Sequence, residues 1–175
     1  IDTAQTWQPD VIIACMHWGN EYQSLPSREQ RQLADWLLKQ GVTHIIGSHP
    51  HVIQPMELRT DSITGAQHAV VYSLGNFISN MSKVNTDGGL IFTLELEKDT
   101  TISTSTQIRV QRCEYNLVWT ARPNLTKEKN YVLYPTDSAS ISKLPEAARN
   151  HLNIFVKNSR KLLQQHNVGI KENKK

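Results

Sequence analysis

Gly47-Ser48-His49-Pro50-His51-Val52-Ile53-Gln54-Pro55 is the stretch on which the fold reading turns. An apolar run, Thr43-His44-Ile45-Ile46, precedes it and reads as a short buried strand. The strand delivers a glycine and then two histidines to the point where the chain leaves a sheet. Ligands of open α/β sheets bind beyond the carboxyl ends of strands. Pro50 biases His49 toward extended backbone. His49 and His51 are therefore expected to project to one face, with Cα atoms about 6.5 Å apart. Two imidazoles on one side of a rigid turn suit one metal ion, or one each of a close pair. Gly47 lets the backbone approach with no Cβ in the way.

Upstream, Pro9-Asp10-Val11-Ile12-Ile13-Ala14-Cys15-Met16 is nearly continuous in apolar residues. That pattern predicts a strand buried on both faces, as in a parallel sheet. It ends at His17-Trp18-Gly19-Asn20-Glu21-Tyr22, where polar residues and a glycine arrive together. Ser27 and Gln30 have the spacing of a capping box. Leu33, Trp36, Leu37 and Leu38 supply an apolar stripe at helical spacing, and Gly41 stops the helix. A strand, helix, strand unit predicts a parallel pair, which puts residues 17–21 and 48–51 on the same sheet edge.

Downstream, residues 56–60 alternate like a half-exposed strand, and residues 61–65 are rich in turn formers. Ala69-Val70-Val71-Tyr72-Ser73-Leu74 is a further strand, ending at Gly75-Asn76-Phe77. Residues 79–87 are polar and read as a mobile loop. Residues 90–97 and 101–110 read as an antiparallel pair across a turn at 98–100, and 115–120 as one more strand. Residues 123–134 read as loop with a short strand at 131–133. Pro145 suits the first turn of a helix at about 144–167. Ala148, Leu152, Phe155, Val156, Leu162 and Leu163 share its apolar face. The fold class is thus α/β in front, antiparallel β in the middle and a helix at the end, divided as residues 1–120 and an extension at 121–175.

The 175 residues are 38% apolar, enough for one globular core. A formal charge of +3 is too small to point to nucleic acid. No apolar run is long enough to span a bilayer, and the basic residues of 171–175 read as a frayed end. The chain starts at Ile1 rather than Met, and we expect an amino-terminal part to precede it. Cys15 and Cys113 are the two cysteines. They read as buried free thiols, and no Cys-x-x-Cys zinc signature occurs.

Three strand ends carry polar residues directly after apolar runs, and the first two share an edge. His17, His49 and His51 are therefore expected to converge as metal ligands. Glu21, Ser48 and Asn76 are the candidates for supporting or substrate contacts, while a catalytic residue proper is not assignable. Imidazole suits zinc, iron, manganese or nickel alike. His44, His68, His151 and His166 read instead as hydrogen-bonded core or loop residues, and Trp18, Trp36, Tyr72 and Phe77 as core.

In order and spacing, the stretches at 17–22, 47–54 and 72–77 resemble the CapA family. These poly-gamma-glutamate capsule biosynthesis proteins are related to the calcineurin-like metallophosphoesterases. The resemblance covers roughly residues 9–97. It implies a four-layer α/β/β/α sandwich with a two-metal site of manganese, iron or zinc at the strand ends. It carries over the late histidine ligands as His17, His49 and His51. The family's early aspartate, asparagine and histidine motifs fall before position 1. The chain would then be a fragment, the carboxy-terminal half of the domain with about half of the site. As such it is expected to turn over little substrate alone, and to associate with itself or with the missing half.

Three functions compete. One is a metal-dependent hydrolase-like protein acting on an anionic cell-surface polymer, with extracytoplasmic or cell-surface placement implied by the resemblance. Another is a non-catalytic, polymer-binding component of capsule assembly. The third is a phosphoesterase of unrelated substrate.

Overall fold

The computed structural model describes residues 1–99, 107–136 and 139–173. In chain order the elements are α1 (Asp2–Thr6), β1 (Ile13–His17), α2 (Arg28–Lys39), β2 (His44–Ser48), β3 (Met56–Thr60), β4 (Gln67–Val71), β5 (Gly88–Asp99), β6 (Gln107–Ala121), α3 (Pro123–Thr126), β7 (Val132–Pro135), a 3-10 turn (Ala139–Lys143), α4 (Glu146–His166) and β8 (Lys171–Glu172). The chain is mixed α/β, with parallel and antiparallel strands and a long C-terminal helix. Among the described residues, no helix is long and apolar enough to cross a membrane.

The first sheet has the order β1-β2-β4-β3. β1, β2 and β4 run parallel, and β3 returns antiparallel along β4. Period-two alternation explains the near-continuous apolar runs of the central strands. Ile45 and Val70 face α2, where Trp18, Ala34, Leu37, Val42 and Tyr72 complete one cluster. Ile46 and Val71 face the other way. There Met56, Leu90, Tyr115, Leu117, Trp119 and the α4 residues Ala148, Leu152, Phe155 and Leu163 form the second cluster. The second sheet is β5-β6-β7, antiparallel, with β8 parallel to β6. It is tied to the first where Leu90 N–H donates to the Leu74 carbonyl at 2.9 Å. A Cβ at Gly89 would lie 2.4 Å from the Asn76 carbonyl oxygen, so the join requires glycine there.

Several local expectations are corrected. β1 is not buried on both faces. It is an edge strand, and the second cluster draws on β2, β3 and β4 but not on β1. Ile13 and Cys15 are therefore exposed. Ser27 and Gln30 do form a capping box, but α2 buries Gln30, Ala34 and Leu37, while Leu33 and Trp36 face outward. Phe77 is also exposed rather than core. The separate strands read at 101–110 and 115–120 are one strand within the described residues, β6, because β5 pairs along its whole length with a bulge at Glu95/Leu96. β5 continues through Asp99, so the turn does not begin at 98; residues 100–106 lie outside the described residues, as do 137 and 138 in the lead-in to α4. Thr86 and Asp87 are buried rather than part of a solvated loop. A short helix, α3, occupies the start of the stretch read as loop. Pro145 caps α4 from outside its first turn. Lys171 and Glu172 pair with β6 instead of fraying.

His44 is fully buried between the parallel strands, and its Nδ1 accepts from the Ala69 N–H at 3.0 Å. Burial, reinforced by the neighbouring His68, pushes its pKa down from 6.5 to about 4. The unfolded chain therefore binds the extra proton first as pH falls. The stabilisation is complete above about pH 6.5 and is lost as pH drops through 4, up to about 3 kcal/mol. We expect His44→Asn, which keeps the acceptor, to flatten the pH dependence of urea unfolding between pH 7 and 4. An unchanged slope would refute the assignment.

Candidate functional site

β1 and β2 end in register, with His17 opposite Ser48. This common edge gathers the histidines. The ring centroids of His17 and His49 lie 4.4 Å apart, and those of His49 and His51 6.1 Å apart. Two of the expected metal ligands, His49 and His51, form a tighter set with Glu21, which was expected as a supporting contact. One ligand atom from each lies within 4.8 Å of the others. His17 is outside that set, tilted against His49. Ser48 does not face the cluster with a free hydroxyl, because its Oγ donates to the Met16 carbonyl at 3.1 Å.

The turn that presents the histidines is not extended. His49 has φ +101° and His51 φ +60°, both in a region that side chains with a Cβ rarely adopt. Pro50 fixes the intervening φ, and the chain must fold back sharply to bring both rings to the β1 side. Such strain persists where surrounding contacts over-determine it. Here the Tyr22 N–H donates to the Pro50 carbonyl at 2.7 Å, and the Trp18 N–H to Ser48 at 3.2 Å. Gln54 is fully buried. Its amide nitrogen donates to the Gln23 carbonyl at 2.8 Å and the Leu25 carbonyl at 3.2 Å, and its oxygen accepts from Gln30 at 2.9 Å. The loop after β1 is thereby clamped to the loop after β2, which sets Glu21 beside the histidines.

Asn76 orients His51. Its Nδ2 donates to the Thr86 carbonyl at 2.8 Å, which turns Oδ1 toward His51 Nδ1 at 3.0 Å. An amide oxygen only accepts, so Nδ1 carries the proton and Nε2 keeps its lone pair. Nε2 lies 3.9 Å from the Glu21 carboxylate. Beyond Glu21, the Tyr22 phenol is held above its usual pKa by desolvation and by Glu21. Lys83 Nζ sits 3.6 Å from the centre of the Tyr22 ring. Tyr22, Gln54 and Lys83 were not singled out from sequence as site residues. Gln54, a polar residue wedged between Ile53 and Pro55, was the one legible signal.

Residues 1–81, which include every candidate residue named so far except Lys83, match the family model described as bacterial capsule synthesis protein PGA_cap. Over residues 1–81 the chain is similar to that capsule-synthesis family. Across 92 residues the chain is 34% identical to the PGA biosynthesis protein CapA of Bacillus subtilis (strain 168), covering 53% of this chain and 23% of that protein. Across 83 residues it is 35% identical to the capsule biosynthesis protein CapA of Bacillus anthracis, covering 47% of this chain and 19% of that protein. The matched segment thus spans less than a quarter of either CapA relative.

Proposed function

We propose that the chain is part of a capsule or poly-γ-glutamate biosynthesis protein of CapA type. In this reading Glu21, His49 and His51 hold a divalent metal ion, at which an anionic cell-surface polymer is hydrolysed or transferred. The observation that carries it is the convergence of those three donors on a strained, clamped turn at the ends of parallel strands. The donor set fits the group: two imidazoles and one carboxylate suit zinc, manganese or iron. When bound, such an ion polarises a carbonyl or phosphoryl oxygen and lowers the pKa of a coordinated water. Asn76 keeps the His51 Nε2 lone pair available to it. His17 is the remaining imidazole for the second ion that the family resemblance implies. Two sheets, α2 against the first and α4 in the shared core, support reading the chain as part of a four-layer sandwich. The relatives' role in capsule biosynthesis supports placement at the cell surface.

Calorimetric titration of the chain with Zn²⁺ and with Mn²⁺ tests the metal. Saturable binding is expected. His49→Ala and His51→Ala should each weaken it by about 100-fold or more, and Asn76→Ala by about 10- to 100-fold, the usual cost of losing the partner that orients a ligand. If neither metal binds saturably, the hydrolase reading fails and a polymer-binding component of capsule assembly takes its place. Turnover of phosphate esters but not of a γ-glutamyl polymer by the complete protein would instead favour a phosphoesterase.

A further inference from the structure

We infer that Lys83 is a specificity-determining residue of this site: its ammonium, carried on the face of Tyr22, receives a carboxylate of the substrate beside the histidine rim. The inference rests on the reading above for the site, and adds to it the class of group the site recognises.

Three observations point there. Lys83 is exposed, yet its position is built rather than incidental. The fully buried Thr86 donates to the Lys83 carbonyl from both its N–H, at 3.0 Å, and its hydroxyl, at 2.7 Å. The Thr86 carbonyl in turn takes the amide of Asn76, the residue that orients His51. The turn bearing Lys83 is thus hydrogen-bonded into the same network as the candidate ligands. Next, the ammonium lies 3.6 Å from the Tyr22 ring centroid, and that ring's centroid is 6.2 Å from the ring of His51. A cation over an aromatic face is held without a carboxylate consuming its charge. Finally, among the described residues no carboxylate lies within ion-pair distance of Lys83, so the ammonium over Tyr22 is not neutralised by a neighbouring acid. A pre-positioned cation with spare hydrogen-bonding capacity, next to the donors that would hold a metal, suits an anionic oxygen of the substrate. Lysine acts there as a point charge rather than a planar fork.

The experiment measures binding of a defined γ-glutamyl oligomer to the chain by calorimetry at low ionic strength, with inorganic phosphate in a parallel titration. Lys83→Gln is expected to weaken oligomer binding about tenfold, and Lys83→Arg to restore most of it. Zn²⁺ affinity in both variants should stay within about twofold of the parent. A Lys83→Gln variant that binds the oligomer as tightly as the parent overturns the inference, as does a parent chain that binds no oligomer. A loss confined to phosphate, with the oligomer unaffected, also overturns it. Failure of the metal reading shows separately: the parent then binds no Zn²⁺ while the Lys83 effect on the oligomer persists.

Discussion

Gly47→Ala is expected to destabilise the chain by about 4 kcal/mol, seen as a drop in Tm of about 12 °C for a domain of this size. The glycine's own φ is ordinary, so the effect is steric. A Cβ on Gly47 would stand 2.1 Å from the Tyr72 carbonyl oxygen and 2.4 Å from Trp18 Nε1. Those two atoms are hydrogen-bonded to each other at 2.9 Å in the interior. The Gly47 carbonyl also accepts from the Leu74 N–H at 3.1 Å. Backbone on β4's exit cannot move aside as a flexible side chain would. The new methyl must therefore separate β2 from the 72–74 segment and break the indole hydrogen bond. A Tm within 2 °C of the parent would show that the close approach at Gly47 is not needed.

Trp119→Ala should cost about 5 kcal/mol by urea unfolding, against about 2 kcal/mol for Trp119→Phe. The side chain is fully buried at the centre of the larger cluster and packs near Tyr134. Its Nε1 donates to the buried Asp87 carboxylate at 3.0 Å. Truncation thus opens a cavity and also leaves Asp87, among the described residues, with the half-exposed His151, 3.8 Å away, as its remaining side-chain partner. Phenylalanine fills most of the volume and forfeits only the hydrogen bond. Equal losses for the two variants would mean that packing around residue 119 contributes little beyond that bond.

Strand ends mark the site in the sequence, and the parallel register of β1 with β2 bears out that His17 and the 48–51 turn share an edge. The expected geometry of the turn did not survive. Pro50 alone argues for extended backbone at His49, but the contacts from Tyr22 and Trp18 override that bias and hold both histidines at positive φ. Apolar stripes were read correctly on α4, where the second sheet lies against the helix. On α2 the stripe holds in part: Leu37 and Leu38 pack into the first cluster while Leu33 and Trp36 face outward, because periodicity names two neighbouring faces and only packing selects between them. There the sheet took the face with Gln30, Ala34 and Leu37. Lys83 gave no signal at all, since a lysine in a polar loop has no local pattern that distinguishes it.

What the chain's letters determined alone were features decided over a few residues. These include the capping box at Ser27, the helix at the C-terminal end, the turn at Asp61 and the apolar strands that end in histidines. Capping, helical period and strand alternation act over one or two turns of chain, so they are written locally. The tertiary structure decided which edge stayed uncovered, how Gln54 clamps two loops, and why Glu21 rather than His17 completes the tight donor set. Each of those depends on groups dozens of positions apart meeting in one place, and only packing and buried hydrogen bonds across the fold bring them together.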